Sequence, residues 1–183
     1  GLAGEVFSPS VLSNISGGLG VGSTQYANAS KGGYDNVQPL FFHHKTGDLA
    51  IAGEGNLVNS EQIAAYLENN GTMFHTYTDS EILANLIKKD GTEDRITRIN
   101  EALNMMEGGF AFLIVTKNRI YAARDKYGIK PLALGRLGDG WVVSSETCAF
   151  DLVGAEYVRD VEPGEIVSID AKGVRSTRFS KFQ

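Results

Sequence analysis

The sequence predicts an α+β fold with mostly antiparallel sheets. Helical spacing of apolar residues is confined to the middle of the chain, at 61–68, 78–87 and 93–106. Short apolar runs joined by turns of two to four residues fill the second half. No strand–helix–strand unit repeats, and no internal repeat or low-complexity segment stands out.

Residues 1–16 read as the end of a strand and then a turn with Pro9 near its middle. Gly17-Gly18-Leu19-Gly20-Val21-Gly22 lacks the G-x-G-x-x-G spacing and the following lysine of a phosphate loop. A strand of close backbone approach is expected there rather than a nucleotide site. A polar loop follows at 27–36, of the kind that often lies over binding sites. Residues 38–44 read as a strand, and Lys45-Thr46-Gly47-Asp48 as its hairpin turn. His43 and His44 are adjacent, so in a strand they point to opposite faces. With no Cys and no Asp/Glu–His spacing to complete a set, neither a metal nor another cofactor is expected.

The chain is organised around residues 47–59, GDLAIAGEGNLVN. Leu49-Ala50-Ile51-Ala52 is apolar and short, as a buried strand is. Gly53-Glu54-Gly55-Asn56 reads as a tight turn rich in residues that accept positive φ. Asn59 suits the N-cap of the next helix, with Gln62 three positions on as in a capping box. Such a turn leaves backbone N–H groups near solvent, where they can stabilise a developing oxyanion; it also suits a plain connection. The helix at 61–68 buries Ile63, Ala64 and Leu67 and stops at Asn69-Asn70-Gly71. Thr78-Asp79-Ser80-Glu81 is a capping box before Ile82, Leu83, Leu86 and Ile87. Asp79 sits in the first turn, where a carboxylate favours the helix dipole whether or not it binds anything. The third helix, 93–106, places Ile96, Ile99, Leu103 and Met106 on one side, so Met105-Met106 reads as core packing.

Beyond it, 110–116 is an apolar strand, Lys117-Asn118 a two-residue turn and 119–123 its partner. Residues 124–131 form a charged turn. Residues 132–134 and 141–143 make a hairpin around Gly138-Asp139-Gly140. A short helix at 145–152, a strand at 165–169 and its return at 174–176 complete the chain.

A chain of 183 residues, 42 % hydrophobic and 21 % charged, suits one domain with a full core. Its net charge of −5, without a basic block, argues against nucleic acid as a partner. One cysteine, Cys148, excludes an intrachain disulfide framework and suits a reducing cytosol. No apolar run approaches the roughly 18 residues of a membrane span, and no signal-peptide pattern is present, so a cytoplasmic protein is expected. The first residue is Gly1 rather than Met, so a cut, a processed start or an artificial boundary is expected upstream.

Several stretches occur in the order of one family. They are Gly55-Asn56-Leu57-x-Asn59, Thr78-Asp79-Ser80-Glu81, Arg124-Asp125-x-x-Gly128-Ile129-x-Pro131-Leu132, Ser145-Glu146-x-x-Ala149-x-Asp151 and Asp160-Val161-x-Pro163-Gly164-Glu165. Gly1-Leu2-x-x-Glu5-Val6-Phe7 and Asn36-x-Gln38-Pro39 fit the same template. Together they resemble the N-terminal glutaminase domain of the glutamine phosphoribosylpyrophosphate amidotransferases, also called amidophosphoribosyltransferases, across nearly the whole chain. Sugar-phosphate and asparagine-forming amidotransferases share the fold, but the Arg-Asp and Ser-Glu pieces favour the purine enzymes.

The resemblance implies an Ntn-hydrolase sandwich, two antiparallel sheets between helical layers. It also implies a chemistry: an N-terminal cysteine attacks the glutamine amide with its own α-amino group as base, and ammonia passes to a phosphoribosyl site in a second domain. That cysteine and the phosphoribosyltransferase half are not among these residues, so a single partial domain, inactive alone, is expected. Cys148 is internal and reads as a buried structural thiol. Asp79 matches the carboxylate that holds the substrate's α-amino group, and Gly55 keeps the oxyanion-binding backbone N–H. Gln25-Tyr26 stands where the family has Arg-Tyr, which removes a charge from the substrate-carboxylate site. Gly53-Glu54-Gly55-Asn56-Leu57 stands where the family has His-Asn-Gly-Asn-Leu, so Glu54 replaces an amide that donates to the oxyanion. Losing one such donor costs roughly 3–4 kcal/mol, and a like charge adds to it. These changes equally suit a degenerate, non-catalytic binding or regulatory module. Without the upstream segment a sheet edge and an apolar face are expected to be exposed, favouring self-association into a homo-oligomer.

Overall fold

The computed structural model describes residues 6–24, 36–43, 47–76, 78–88 and 94–180. Two antiparallel sheets lie face to face. The larger has six strands in the order β1 (Leu40–Phe42), β2 (Leu49–Leu57), β3 (Gly108–Thr116), β4 (Arg119–Arg124), β8 (Glu165–Asp170) and β9 (Gly173–Arg178). The smaller runs β6 (Gly140–Ser144), β5 (Ala133–Leu137), β7 (Glu156–Asp160).

Period-two alternation gives the large sheet two apolar faces. Ile51, Phe110, Phe112 and Ile114 point to a layer of three helices, α2 (Ser60–Asn69), α3 (Asp79–Ile87) and α4 (Arg95–Met105), where they meet Ile82, Leu83, Ile99 and Leu103. Ala111, Ala122 and Val167 point the other way and pack on Leu132, Leu134 and Val161 beneath the small sheet. On the far side of that sheet lies α5 (Cys148–Val153), whose Phe150 fills the space left by Gly135. The order is therefore helix, sheet, sheet, helix.

The helix starts are set by local chemistry. Thr78 caps α3 by accepting the Glu81 N–H at 3.3 Å, and Asp94 caps α4 by accepting the Thr97 N–H at 3.0 Å. Near the start of the chain the expected turn is instead a short helix, α1 (Pro9–Ser13), with Ser8 as N-cap and Pro9 at its first position. Proline's fixed φ is pre-set for that place. The strand expected at 17–22 does not form. Gly18, Gly20 and Gly22 are exposed and have no atom within 4 Å of an added Cβ, so among the described residues no neighbouring strand approaches them. Among the described residues no helix is long and apolar enough to cross a membrane.

Candidate functional site

The first correction falls on the glycine-rich stretch. Gly53-Glu54-Gly55-Asn56 is not a turn; β2 runs straight through it to Leu57. Neither Gly53 nor Gly55 adopts a positive φ. The glycines answer a close approach instead. A Cβ at Gly53 would lie 2.4 Å from Phe112 Cδ1 and 2.5 Å from the Ala111 carbonyl oxygen.

The short β1 pairs with β2 only as far as Ile51, so among the described residues no strand pairs with that edge of β2 beyond it. Side groups take up its donors in turn. Gly53 N–H donates to Gln38 Oε1 at 2.7 Å, and Leu57 N–H donates to Asp79 Oδ2 at 3.3 Å. Gly55 lies between them and has the same orientation. Its ladder partner Phe110 turns both backbone groups away, donating to Asp125 Oδ2 at 3.3 Å and accepting from Asp125 N–H at 2.9 Å. In an antiparallel ladder this makes Gly55–Phe110 a non-hydrogen-bonded pair, so the Gly55 N–H and C=O face the open edge.

Asp79 closes one side of that edge. It is the first residue of α3, half-buried, with Oδ2 only 2.8 Å from where a Gly55 Cβ would stand. The capping box that positions it is made only in one direction. Thr78 takes its bond from Glu81, but the Glu81 carboxylate reaches back to His75 N–H at 2.9 Å, Thr76 N–H at 2.6 Å and the Thr76 hydroxyl at 2.6 Å. Burial pushes the Glu81 carboxyl up; these hydrogen bonds outweigh it and hold the group below the ordinary glutamate value. The segment before α3 is thereby tied to the helix.

Glu54 projects to the opposite face of β2 from Gly55 and is 74 % exposed. Its Oε1 meets Lys130 Nζ at 2.5 Å. Lys130 comes from the β4–β5 loop, the charged turn of the sequence. That loop is built on Arg124 and Asp125. The Arg124 guanidinium donates to the carbonyls of Lys130, Val161 and Gly128 at 2.7, 2.8 and 3.0 Å. Fully buried Asp125 accepts from the N–H groups of Tyr127, Ile129 and Lys130 as well as Phe110. Gln25 and Tyr26 lie outside the described residues.

Two further expectations are revised. Asn59 does occupy the N-cap position of α2, but its side chain bonds Met105 O and Glu107 N–H instead of capping, so no capping box forms with Gln62. Cys148 is exposed, not buried; α5 turns only Phe150 inward. His43 pairs with Asp48 at 3.1 Å, and among the described residues no group of three or more His, Cys, Asp or Glu is placed to hold a metal. His44 lies outside the described residues. Gln38, Asp125 and Lys130 were not singled out from the sequence as site residues, although all three fall within its quoted motifs.

Helix, sheet, sheet, helix layering of antiparallel sheets is the architecture of the Ntn hydrolases. The family described as "Glutamine amidotransferase domain" matches residues 31–151, and the chain belongs to it. It is 48 % identical over 181 residues to the amidophosphoribosyltransferase of Bacillus subtilis (strain 168), covering 98 % of this chain and 38 % of that protein. It is 39 % identical over 177 residues to amidophosphoribosyltransferase 1, chloroplastic, of Arabidopsis thaliana, covering 96 % of this chain and 31 % of that protein. A solved structure titled "Structure of the allosteric regulatory enzyme of purine biosynthesis" matches with a TM-score of 0.93 at 48 % identity, over 98 % of this chain and 39 % of that one. The chain thus spans under two-fifths of the length of these relatives.

Proposed function

We propose that this chain is the glutaminase domain of an amidophosphoribosyltransferase of purine biosynthesis, working in the cytoplasm. One observation carries the reading: the Gly55 N–H faces an open strand edge directly beside the Asp79 carboxylate. A backbone donor there suits the oxyanion formed when a nucleophile adds to an amide carbonyl. A carboxylate beside it suits the α-ammonium of glutamine. Gln25 and Tyr26 take the substrate's carboxylate end in this reading, and Glu54 occupies the second oxyanion position.

The nucleophile is an N-terminal cysteine upstream of these residues. Its sulfur bonds the amide carbon, its thiol proton passes through the α-amine to the departing ammonia, and water then cleaves the thioester to glutamate. Ammonia goes to a phosphoribosyltransferase domain elsewhere in the protein.

The test is product balance in the full-length protein. With glutamine and phosphoribosyl pyrophosphate supplied together, glutamate and pyrophosphate should appear in equal amounts. Glutamine binding without glutamate release would overturn the glutaminase reading. It would favour a non-catalytic module, for which the carboxylate of Glu54 in the oxyanion position already speaks.

A further inference from the structure

We propose that Lys130 is a positioning residue of the glutamine site: its ammonium neutralises Glu54 and so lets a carboxylate stand beside the oxyanion donor at Gly55. The inference rests on the glutaminase reading. An uncompensated carboxylate next to Gly55 opposes the negative charge that develops on the amide oxygen. Lys130 supplies the missing counter-charge at 2.5 Å from Glu54 Oε1.

The pair is unequal, and the inequality shows which member is fixed. The Lys130 side chain is 26 % exposed, whereas that of Glu54 is 74 % exposed. The Lys130 backbone is held on both sides, its N–H by Asp125 Oδ2 at 3.0 Å and its C=O by Arg124 Nε at 2.7 Å. The same Asp125 oxygen also holds the N–H of Phe110, the residue opposite Gly55 in the ladder. Ile129, one residue before, packs against Gly109, which pairs with Asn56. One buried carboxylate therefore registers the lysine on the rung that carries the oxyanion donor. An exposed ion pair adds little to stability, and the loop is already secured without it. The contribution left to the Lys130 ammonium is electrostatic, and it acts at the site.

The experiment is a double-mutant cycle on glutamine hydrolysis by the full-length protein, with the unfolding midpoint of each variant measured alongside. Lys130→Met should lower kcat about tenfold or more and leave KM within about twofold, because a charge beside the transition state acts on the chemical step. Lys130→Arg should retain activity. In a Glu54→Gln background, Lys130→Met should have no effect. If Lys130→Met unfolds the protein, Lys130→Gln takes its place in the cycle. Equal loss in both backgrounds, or no loss in either, would overturn the inference while the glutaminase reading stands. A wild-type protein that hydrolyses no glutamine would overturn both.

Discussion

Gly53 and Gly55 are glycines for two different reasons. At Gly53 the obstacle to a side chain is the neighbouring strand itself, the Ala111 carbonyl and the Phe112 ring, both within 2.5 Å of an added Cβ. Backbone in the middle of a sheet cannot step aside. Gly53→Ala should therefore destabilise the protein by about 1–3 kcal/mol, the usual cost of overpacking, read as a lower urea midpoint; an unchanged midpoint would show that the strand pair relaxes. At Gly55 the nearest atom is the end of a flexible side chain, Asp79 Oδ2, so that space belongs to the carboxylate. Asp79 could be placed at a helix start from its capping box, a local pattern, while its part in the site followed from the family resemblance. Gln38 and Lys130 reach β2 from 15 and 76 residues away, and no local pattern marks such a contact.

At the scale of elements, those fixed by local chemistry were legible. The three central helices carry 3.6-residue periodicity and polar residues at their starts, and β3–β4 is an apolar hairpin around Lys117-Asn118. Elements fixed by tertiary contact were not. The second half of β2 is written in glycine and polar residues because it faces a close neighbour on one side and an open edge on the other, and that composition reads as a turn. Strand β7 is largely exposed, with the sequence Glu-Tyr-Val-Arg-Asp, so no buried alternation announces it. Asn59 has the right residue type and place for a cap, yet its side chain goes to the α4–β3 junction 46 and 48 residues on. The one-sided capping box before α3 follows the same rule: Glu81 found better-placed donors at His75 and Thr76.

At the scale of the whole molecule the two sheets are joined by a charged clamp. Arg159 of β7 donates to Glu165 of β8 through two parallel bonds of 2.8 and 2.7 Å, and Glu162 N–H adds a third at 2.7 Å. The Glu165 side chain is 2 % exposed. Burial pushes its carboxyl up, but the bonds from Arg159, Ser176 and Glu162 hold it below the ordinary glutamate value. A carboxyl depressed by folding adds stability that is complete above its unfolded value and is lost as pH falls through the folded one. Glu165→Gln should therefore be less stable than wild type at pH 7, and the gap should close as pH falls below about 4.5. Unfolding midpoints across that range check it, and a gap independent of pH would contradict it. The layered architecture was legible because the matched motifs run in order from one end of the chain to the other. No single motif specifies the sandwich.

The central claim is that the open edge at Gly55 and the Asp79 carboxylate form one glutamine site. The most direct measurement is the steady-state kinetics of glutamine hydrolysis by the full-length protein carrying Asp79→Asn. Asparagine keeps an oxygen to accept the Leu57 N–H but removes the charge that would hold the substrate's ammonium. The prediction is a rise in KM of about thirtyfold or more, the worth of one charge-assisted bond, with the protein destabilised by no more than about 1 kcal/mol, the worth of a first-turn carboxylate. An unchanged KM would mean that Asp79 serves only to start α3 and that glutamine binds elsewhere.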